Sequence, residues 1–118
     1  MYAIRLSSAD CPALTWLQSL NPKEQAAIGS RLKTFAEVGW LRSPDAFNNL
    51  DEADPNNSDK PRVDEIKHVG QNLRLYVVDF SPGHNRAFVT HGTKKPKPKQ
   101  VAKEVKRARE IFKKGQTP

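Results

Sequence analysis

The spacing of apolar residues near the N-terminus predicts one short strand followed by a helix. Tyr2–Leu6 alternates between apolar and polar positions and is rich in β-prone side chains, which is typical of a strand. We expect a helix with Pro12 near its start, because a proline loses no hydrogen bond there, and Asp10 is placed to cap it. The apolar surface of this helix is formed by Leu14, Trp16, Leu17 and Leu20.

A second helix is predicted over residues 22–38. Asn21 is a favourable cap, Pro22 is suited to the first helical position, and Glu24 stands where a capping box places its acidic partner. Gly39 is positioned to end the helix. The apolar residues at helical spacing are Ile28, Leu32 and Phe35.

Three β-prone segments in the second half of the chain predict an antiparallel meander. They are Val63–Val69, Leu73–Phe80 and Arg86–His91, and short polar turns connect them. Residues 42–62 before them are rich in Asn, Asp and Pro and are expected to form a loop. Within it we expect the acidic stretch 51–61 to be mobile, as a flexible surface insert rather than a segment ordered by a partner.

The last predicted element is a basic helix over 98–114 that stops at Gly115. Its apolar face is formed by Val101, Val105, Ala108 and Phe112. The predicted order is therefore β-α-α-β-β-β-α in one compact α+β domain spanning 1–118. Two N-terminal helices would pack on one face of a small antiparallel-rich sheet.

Charge is distributed unevenly along the chain. Residues 1–66 carry a net charge of −3 and residues 67–118 carry +10, which favours a polyanion or an acidic protein as partner. No apolar run reaches the roughly 20 residues of a membrane span, and the first residues lack signal-peptide character. Cys11 is the only cysteine, so no internal disulfide can form. We therefore expect a cytoplasmic protein.

Candidate chemistry is concentrated in basic side chains around the last three strands, since Gly-rich phosphate loops, HExxH, CxxC and G-x-S-x-G motifs are absent. Such groups can cleave RNA without metal or cofactor, because the substrate's own 2′-hydroxyl attacks the phosphorus. The protein needs only a base, an acid and cations that hold the phosphate. The candidates are Lys67, Arg74, Arg86, His91, Lys94, Lys95 and Lys97.

Each candidate also has a plain structural interpretation. Lys67 can be a solvated strand lysine, and Arg74 can pair with Asp79 or Glu65. His91 can simply bond a backbone carbonyl at a strand end, while Arg86 can be a surface residue. His68 is expected to be structural and His84 solvent-facing, and no histidine pair has a convincing metal spacing.

In the first half of the chain, two phrases resemble those of the phage-derived, HigB-like branch of the RelE/ParE toxin superfamily. A Pro-x-x-x-Trp-Leu phrase stands at Pro12–Leu17, and a Leu-x-x-x-Ala-Glu-x-Gly phrase stands at Leu32–Gly39. In the second half, Val63–Lys67 is similar to the family's Leu-Tyr-Glu-Leu-Arg strand, with Lys67 in place of the arginine. Val89–Lys95 is similar to its Leu-His-Gly-Phe-x-Lys-Lys strand end, with Thr93 in place of the phenylalanine.

The resemblance implies a RelE-like fold and a metal-free endoribonuclease that cuts messenger RNA, often in the ribosome. It also implies an antitoxin partner, commonly a helix-turn-helix protein. Arg74 would hold the scissile phosphate, Lys67 or His91 would transfer protons, and Lys94 and Lys95 would hold the RNA backbone. Arg86 and Lys97 would add to RNA binding.

Two other functions remain open from the sequence. The same fold can carry a ParE-like inhibitor that binds gyrase and cuts nothing. A noncatalytic module with a decayed site, binding nucleic acid or an antitoxin, would have the same charge pattern. Cleaved transcripts would favour the nuclease, and DNA damage signalling with intact transcripts would favour the gyrase inhibitor.

Overall fold

The computed structural model describes residues 2–3, 10–38, 46–81 and 86–115. Among them it has three helices, which are α1 (Pro12–Ser19), α2 (Pro22–Val38) and α3 (Val101–Gly115). Its five strands are β1 (Tyr2–Ala3), β2 (Phe47–Asp51), β3 (Val63–His68), β4 (Leu73–Ser81) and β5 (Arg86–Lys94). The protein is therefore of the predicted α+β class.

All five strands lie in one sheet in the order β1-β5-β4-β3-β2. Strands β3 to β5 form the predicted antiparallel meander, β2 extends it antiparallel to β3, and β1 joins the other edge parallel to β5. Residues 4–6 of the predicted first strand, Gly39, and the turn with His84 lie outside the described residues.

The predicted element order is wrong by one strand, because residues 47–51 form β2 rather than part of a loop. Asn48 and Asn49 favour turns when local propensity decides. Here the ladder with β3 satisfies the backbone, and the Phe47 ring stacks on Phe35 at 5.5 Å between centroids, so tertiary packing overrides propensity.

The basic helix also begins later than predicted. Residues 98–100 form a 3-10 turn, and α3 starts at Val101. Residues 52–60 form hydrogen-bonded turns in which the Asp54 amide donates to the Lys60 carbonyl and the Lys60 amide donates to Asn57. The expected mobility of 51–61 stays a prediction.

Helix α2 has the predicted bounds and the predicted capping box. The Glu24 amide donates to Asn21 Oδ1 at 2.8 Å, and the Asn21 amide donates to Glu24 Oε1 at 3.1 Å. In contrast, the cap of α1 is Cys11 rather than Asp10, and the Cys11 side chain makes no capping hydrogen bond.

The sheet is covered on both faces. One apolar core lies between the sheet and the two N-terminal helices, as predicted, and includes Ile28, Ile66 and Leu75. The opposite face is covered by α3, whose Val105, Ala108 and Phe112 pack on Val63 and Val78. None of the described helices is both long and apolar enough to cross a membrane.

A β-bulge in β5 changes which side chains face α3. Leu75 pairs with Gly92 and Val77 pairs with Val89, so Thr90 and His91 together oppose the single residue Tyr76. This extra residue brings the His91 ring onto the α3 face of the sheet, where it stacks on Tyr76.

Candidate functional site

Three side chains from adjacent strands form a row at one end of the α3 face. Lys67 of β3 pairs directly with Arg74 of β4, and Arg74 pairs with Thr93 of β5. Directly opposed residues of antiparallel strands point to the same face of the sheet. Two of the three predicted catalytic residues, Lys67 and Arg74, are therefore neighbours.

Arg74 is nearly buried, with 7% of its side chain exposed. Its Nη1 donates to the Leu73 carbonyl oxygen at 2.9 Å, and its Nε lies 3.7 Å from Oε2 of Glu65. Burial raises the pKa of the Glu65 carboxyl, while the charges of Arg74 and Lys67 partly oppose that shift. A buried acid thus lies beside two cations.

Tyr76 lies at the centre of this arrangement. It pairs directly with Glu65 across the β3–β4 ladder, and its hydroxyl lies 3.0 Å from Thr93 Oγ1. Burial, opposed by the hydrogen bond with Thr93, raises the pKa of the Tyr76 hydroxyl to about 12. Tyr76 is therefore a neutral hydrogen-bonding group at neutral pH.

His91 is enclosed between β4 and α3, with only 1% of the residue exposed. Its Nε2 lies 2.9 Å from Glu104 Oε2, and its Nδ1 lies 3.2 Å from the Thr90 hydroxyl. Burial lowers the pKa of His91, and the charge of Arg107 adds to this, while Glu104 acts in the opposite direction. The native structure therefore favours the neutral imidazole.

We call these residues the polar cluster. It combines two carboxylates, two cations, an imidazole and two hydroxyls on one face of the sheet. Its members are Glu65, Lys67, Arg74, Tyr76, His91, Thr93 and Glu104.

Two predicted RNA-binding residues lie away from the polar cluster, which corrects the predicted grouping. Lys94 follows Thr93, so strand alternation sends it to the opposite face, where it forms an ion pair with Glu24 of α2.

The second residue, Arg86, lies far from Arg74 along the sheet. It pairs in register with Ser81, which is seven residues along β4 from Arg74, or roughly 23 Å at strand spacing. Its Nε lies 3.1 Å from Asp79 Oδ2.

Lys95 and Lys97 are exposed in the connection from β5 to α3. The Lys95 amide donates to the Asn72 carbonyl at 2.7 Å, which fixes the start of this connection beside the β3–β4 turn.

The predicted structural role of His68 agrees with its contact, because its Nδ1 accepts a hydrogen bond from the Gln71 amide.

Sequence reasoning missed four members of the polar cluster as functional residues. Tyr76 and Glu65 could have been found from the two-residue period, since they share strand faces with Arg74 and Lys67. Glu104 and Thr93 lacked such a signal, because their contacts depend on how α3 and β5 pack.

No group of three or more metal-ligating side chains occurs in the part of the chain that the structure describes.

Comparison with protein-family models, curated proteins and solved structures gave no match to the chain. A functional assignment therefore has to be argued from the residues and the geometry of the polar cluster.

Proposed function

We propose that this protein is a toxin of the RelE/HigB kind, a metal-independent endoribonuclease that cuts messenger RNA in its polar cluster. The observation that carries the proposal is the pairing of Lys67 with Arg74 beside the buried carboxylate of Glu65. Cations for the phosphate and a group for proton transfer then lie within one short stretch of two strands. The α+β fold with its meander is compatible with the resemblance noted in the sequence.

Arg74 is the proposed phosphate ligand. Its contacts with described residues use Nη1 and Nε, so Nη2 can donate to a phosphate oxygen. A guanidinium held by a neighbouring carboxylate and a carbonyl is already oriented, which lowers the cost of arranging it in the transition state. Arg74 would stabilise the negative charge that grows on the phosphate oxygens.

Glu65 and Lys67 are the proposed proton carriers. The Glu65 carboxylate would accept the proton of the 2′-hydroxyl as the 2′-oxygen attacks phosphorus. As the bond between phosphorus and the 5′-oxygen breaks, the Lys67 ammonium would give that oxygen a proton. The products are a 2′,3′-cyclic phosphate and a 5′-hydroxyl. The raised pKa of Glu65 makes it a stronger base than an ordinary carboxylate.

His91 fits a positioning role better than direct proton transfer. Both of its ring nitrogens lie within hydrogen-bond distance of protein oxygens, and only 1% of the residue is exposed, compared with 7% for Glu65. His91 is therefore less available to RNA than Glu65 while α3 is seated. We assign it to holding the Tyr76 ring and the first turn of α3. Lys67, which is half-buried, is the more accessible of the two proton carriers considered from the sequence.

Exposed lysines around the polar cluster favour a polyanionic substrate. Lys95, Lys97, Lys99 and Lys103 are all exposed between the end of β5 and the first turn of α3. Such phosphate contacts supply affinity that falls with salt. Translated messenger RNA on the ribosome, and an antitoxin of the helix-turn-helix kind that covers this surface, are the partners this proposal includes.

The test is cleavage of single-stranded RNA by the purified protein in the presence of a metal chelator. We expect products ending in a 2′,3′-cyclic phosphate. We also expect at least a hundredfold loss of rate in Arg74→Lys, which keeps the charge but not the fork. Arg86→Lys makes the same change at the first residue of β5, opposite the far end of β4, so it is the matched control and should cleave at the wild-type rate. When the protein is expressed in bacteria, growth arrest with intact transcripts would contradict the proposal and favour gyrase inhibition.

A further inference from the structure

A groove separates α3 from the segment that follows β2. It has a volume of about 680 Å³, and its floor includes the aliphatic side chains of Leu50, Val101 and Val105. This volume is in the range of sites that bind small molecules or single building blocks of polymers. The groove is separate from the side chains assigned above to phosphate binding and proton transfer.

The groove begins close to the polar cluster. Leu50 lies two residues after Asn48 on β2, about 7 Å at strand spacing, and Asn48 pairs directly with Glu65. On the other wall, Val101 and Val105 flank Glu104 within the first turns of α3. Arg74 lies two strands from β2 and about 15 Å from Leu50 at strand spacing, so a polymer with its phosphate at Arg74 could place a unit within two positions of it in the groove.

Arg109 gives the groove a rigid planar surface. Its Nε donates to the Pro61 carbonyl at 3.0 Å, its Nη1 to Asp51 Oδ2 at 2.7 Å, and its Nη2 to the Glu52 carbonyl at 3.3 Å. All three nitrogens are thus occupied by protein acceptors along the edge of the guanidinium. What this residue offers a ligand is the flat face, and guanidinium faces stack on unpaired nucleobases.

The charges around the groove are compatible with an approaching polyanion. The carboxylates of Asp51 and Asp59 each face a cation of α3, with Nη1 of Arg109 at 2.7 Å and Nζ of Lys113 at 3.4 Å. These pairs reduce the negative potential at the rim, where Glu110 is a third carboxylate and Lys60 a further exposed cation. Lys106 is exposed on the same side of α3 and can reach a phosphate next to a base lying on the floor.

We propose that this groove is a subsite for one unpaired nucleobase of the RNA, within two positions of the nucleotide whose phosphate Arg74 holds. The inference rests on the proposed function and adds the feature that selects where the strand is cut. The base would lie between the aliphatic floor and the guanidinium face of Arg109. Its ribose and phosphate would extend along α3 towards Lys106.

The experiment compares two substitutions of exposed helical alanines. Ala102→Trp places an indole in the groove, whereas Ala26→Trp makes the same change on α2, away from the sheet's α3 face. Each variant and the wild-type protein are titrated with a short RNA whose 2′-hydroxyl at the cut site is replaced by hydrogen. A second series of RNAs lacks the base at one position at a time. Ala102→Phe is the smaller replacement if the tryptophan variant does not fold.

We expect loss of one particular base within two positions of the cut to weaken binding to the wild-type protein and to Ala26→Trp by roughly tenfold, as for loss of one stacked base. Ala102→Trp should bind the intact RNA about as weakly as the wild type binds the RNA that lacks this base. Removal of that base should then leave the RNA affinity of Ala102→Trp unchanged.

Three other results would overturn the inference, each in a different way. If both tryptophan variants bind each RNA as tightly as the wild-type protein does, the subsite is wrong while the nuclease proposal stands. If removal of no single base weakens binding to the wild-type protein, the groove does not hold a base. If the wild-type protein neither binds nor cleaves RNA, the proposed function fails first and the subsite fails with it.

Discussion

The rings of Tyr76 and His91 stack with their centroids 4.6 Å apart and their planes inclined by 18°. This contact joins the central strand β4 to the bulge of β5, and the His91–Glu104 hydrogen bond extends the connection to α3. One imidazole therefore links three elements around the polar cluster. Its protonation state should affect how firmly α3 is held on the sheet.

Acidification should destabilise the protein through His91. Its pKa is lowered in the native state, so between that value and the ordinary value of about 6.5 the unfolded chain binds more protons. The contribution of neutral His91 to the free energy of unfolding is complete above about pH 6.5. It is lost as the pH falls towards the lowered pKa of the native state. The free energy of unfolding, measured with urea at pH 7 and pH 5, should fall more in the wild type than in His91→Gln.

The control for this measurement is His68→Gln, which leaves the polar cluster unchanged. Burial raises the pKa of Glu65, so this residue acts in the opposite direction between about pH 4.5 and its raised value. Because Glu65 is present in every variant compared, its effect cancels in the difference. Equal pH dependence in the wild type and His91→Gln would contradict the role given to His91.

Two glycine substitutions should have opposite effects on stability. A Cβ atom at Gly92 would overlap the Trp16 ring, so Gly92→Ala should destabilise the fold by about 1–3 kcal/mol through overpacking. A Cβ at Gly29 in α2 meets nothing within 4 Å, so Gly29→Ala should stabilise it by about 0.5–1 kcal/mol. Urea unfolding measures both, and Trp16→Leu should reduce the cost of Gly92→Ala.

The turn between β3 and β4 depends on Asn72, whose φ is 56°. This left-handed conformation costs most residues about 1–2 kcal/mol, and asparagine tolerates it better than a β-branched side chain. Asn72→Val should therefore lower the free energy of unfolding by about that amount, whereas Asn72→Gly should keep the wild-type value or raise it. Equal stability of the two variants would mean that the turn relaxes to another conformation.

The assignment of Glu65 predicts a change in the pH dependence of RNA cleavage. The wild-type rate should rise with pH through the raised pKa of Glu65, because only the carboxylate accepts the 2′-hydroxyl proton. Glu65→Gln should lose this acidic limb and about a hundredfold or more in rate. Glu37→Gln, at an exposed position of α2, is the control. A retained acidic limb in Glu65→Gln would assign the base to another group.

The sequence was sufficient where local chemistry decides the structure. The Asn21–Glu24 capping box marked the start of α2, and the β-prone segments from Val63 onwards predicted the strands that carry Lys67 and Arg74. It was insufficient for β2, where asparagines favour turns but the β3 ladder holds an extended backbone. Strand ends also need three-dimensional information, since β5 continues to Lys94 and sends that side chain towards α2.

The Glu104 contact shows a second limit of sequence reasoning. Glu104 is 13 residues from His91, on a helix that the sequence describes only as basic with one apolar face. Only the packing of Val105 and Ala108 against the sheet turns this acidic residue inwards. The bulge that positions His91 likewise depends on the pairing of β4 with β5.

The pairing of β1 with β5 has a consequence for biosynthesis. Tyr2 lies opposite Phe88 and Ala3 opposite Val89, so these first residues find their sheet partners only after β5 has been translated. Such distant pairing closes late, because the intervening chain must be ordered first. A nascent chain on the ribosome would thus remain without its finished sheet, and without Thr93 of the polar cluster, until β5 has emerged.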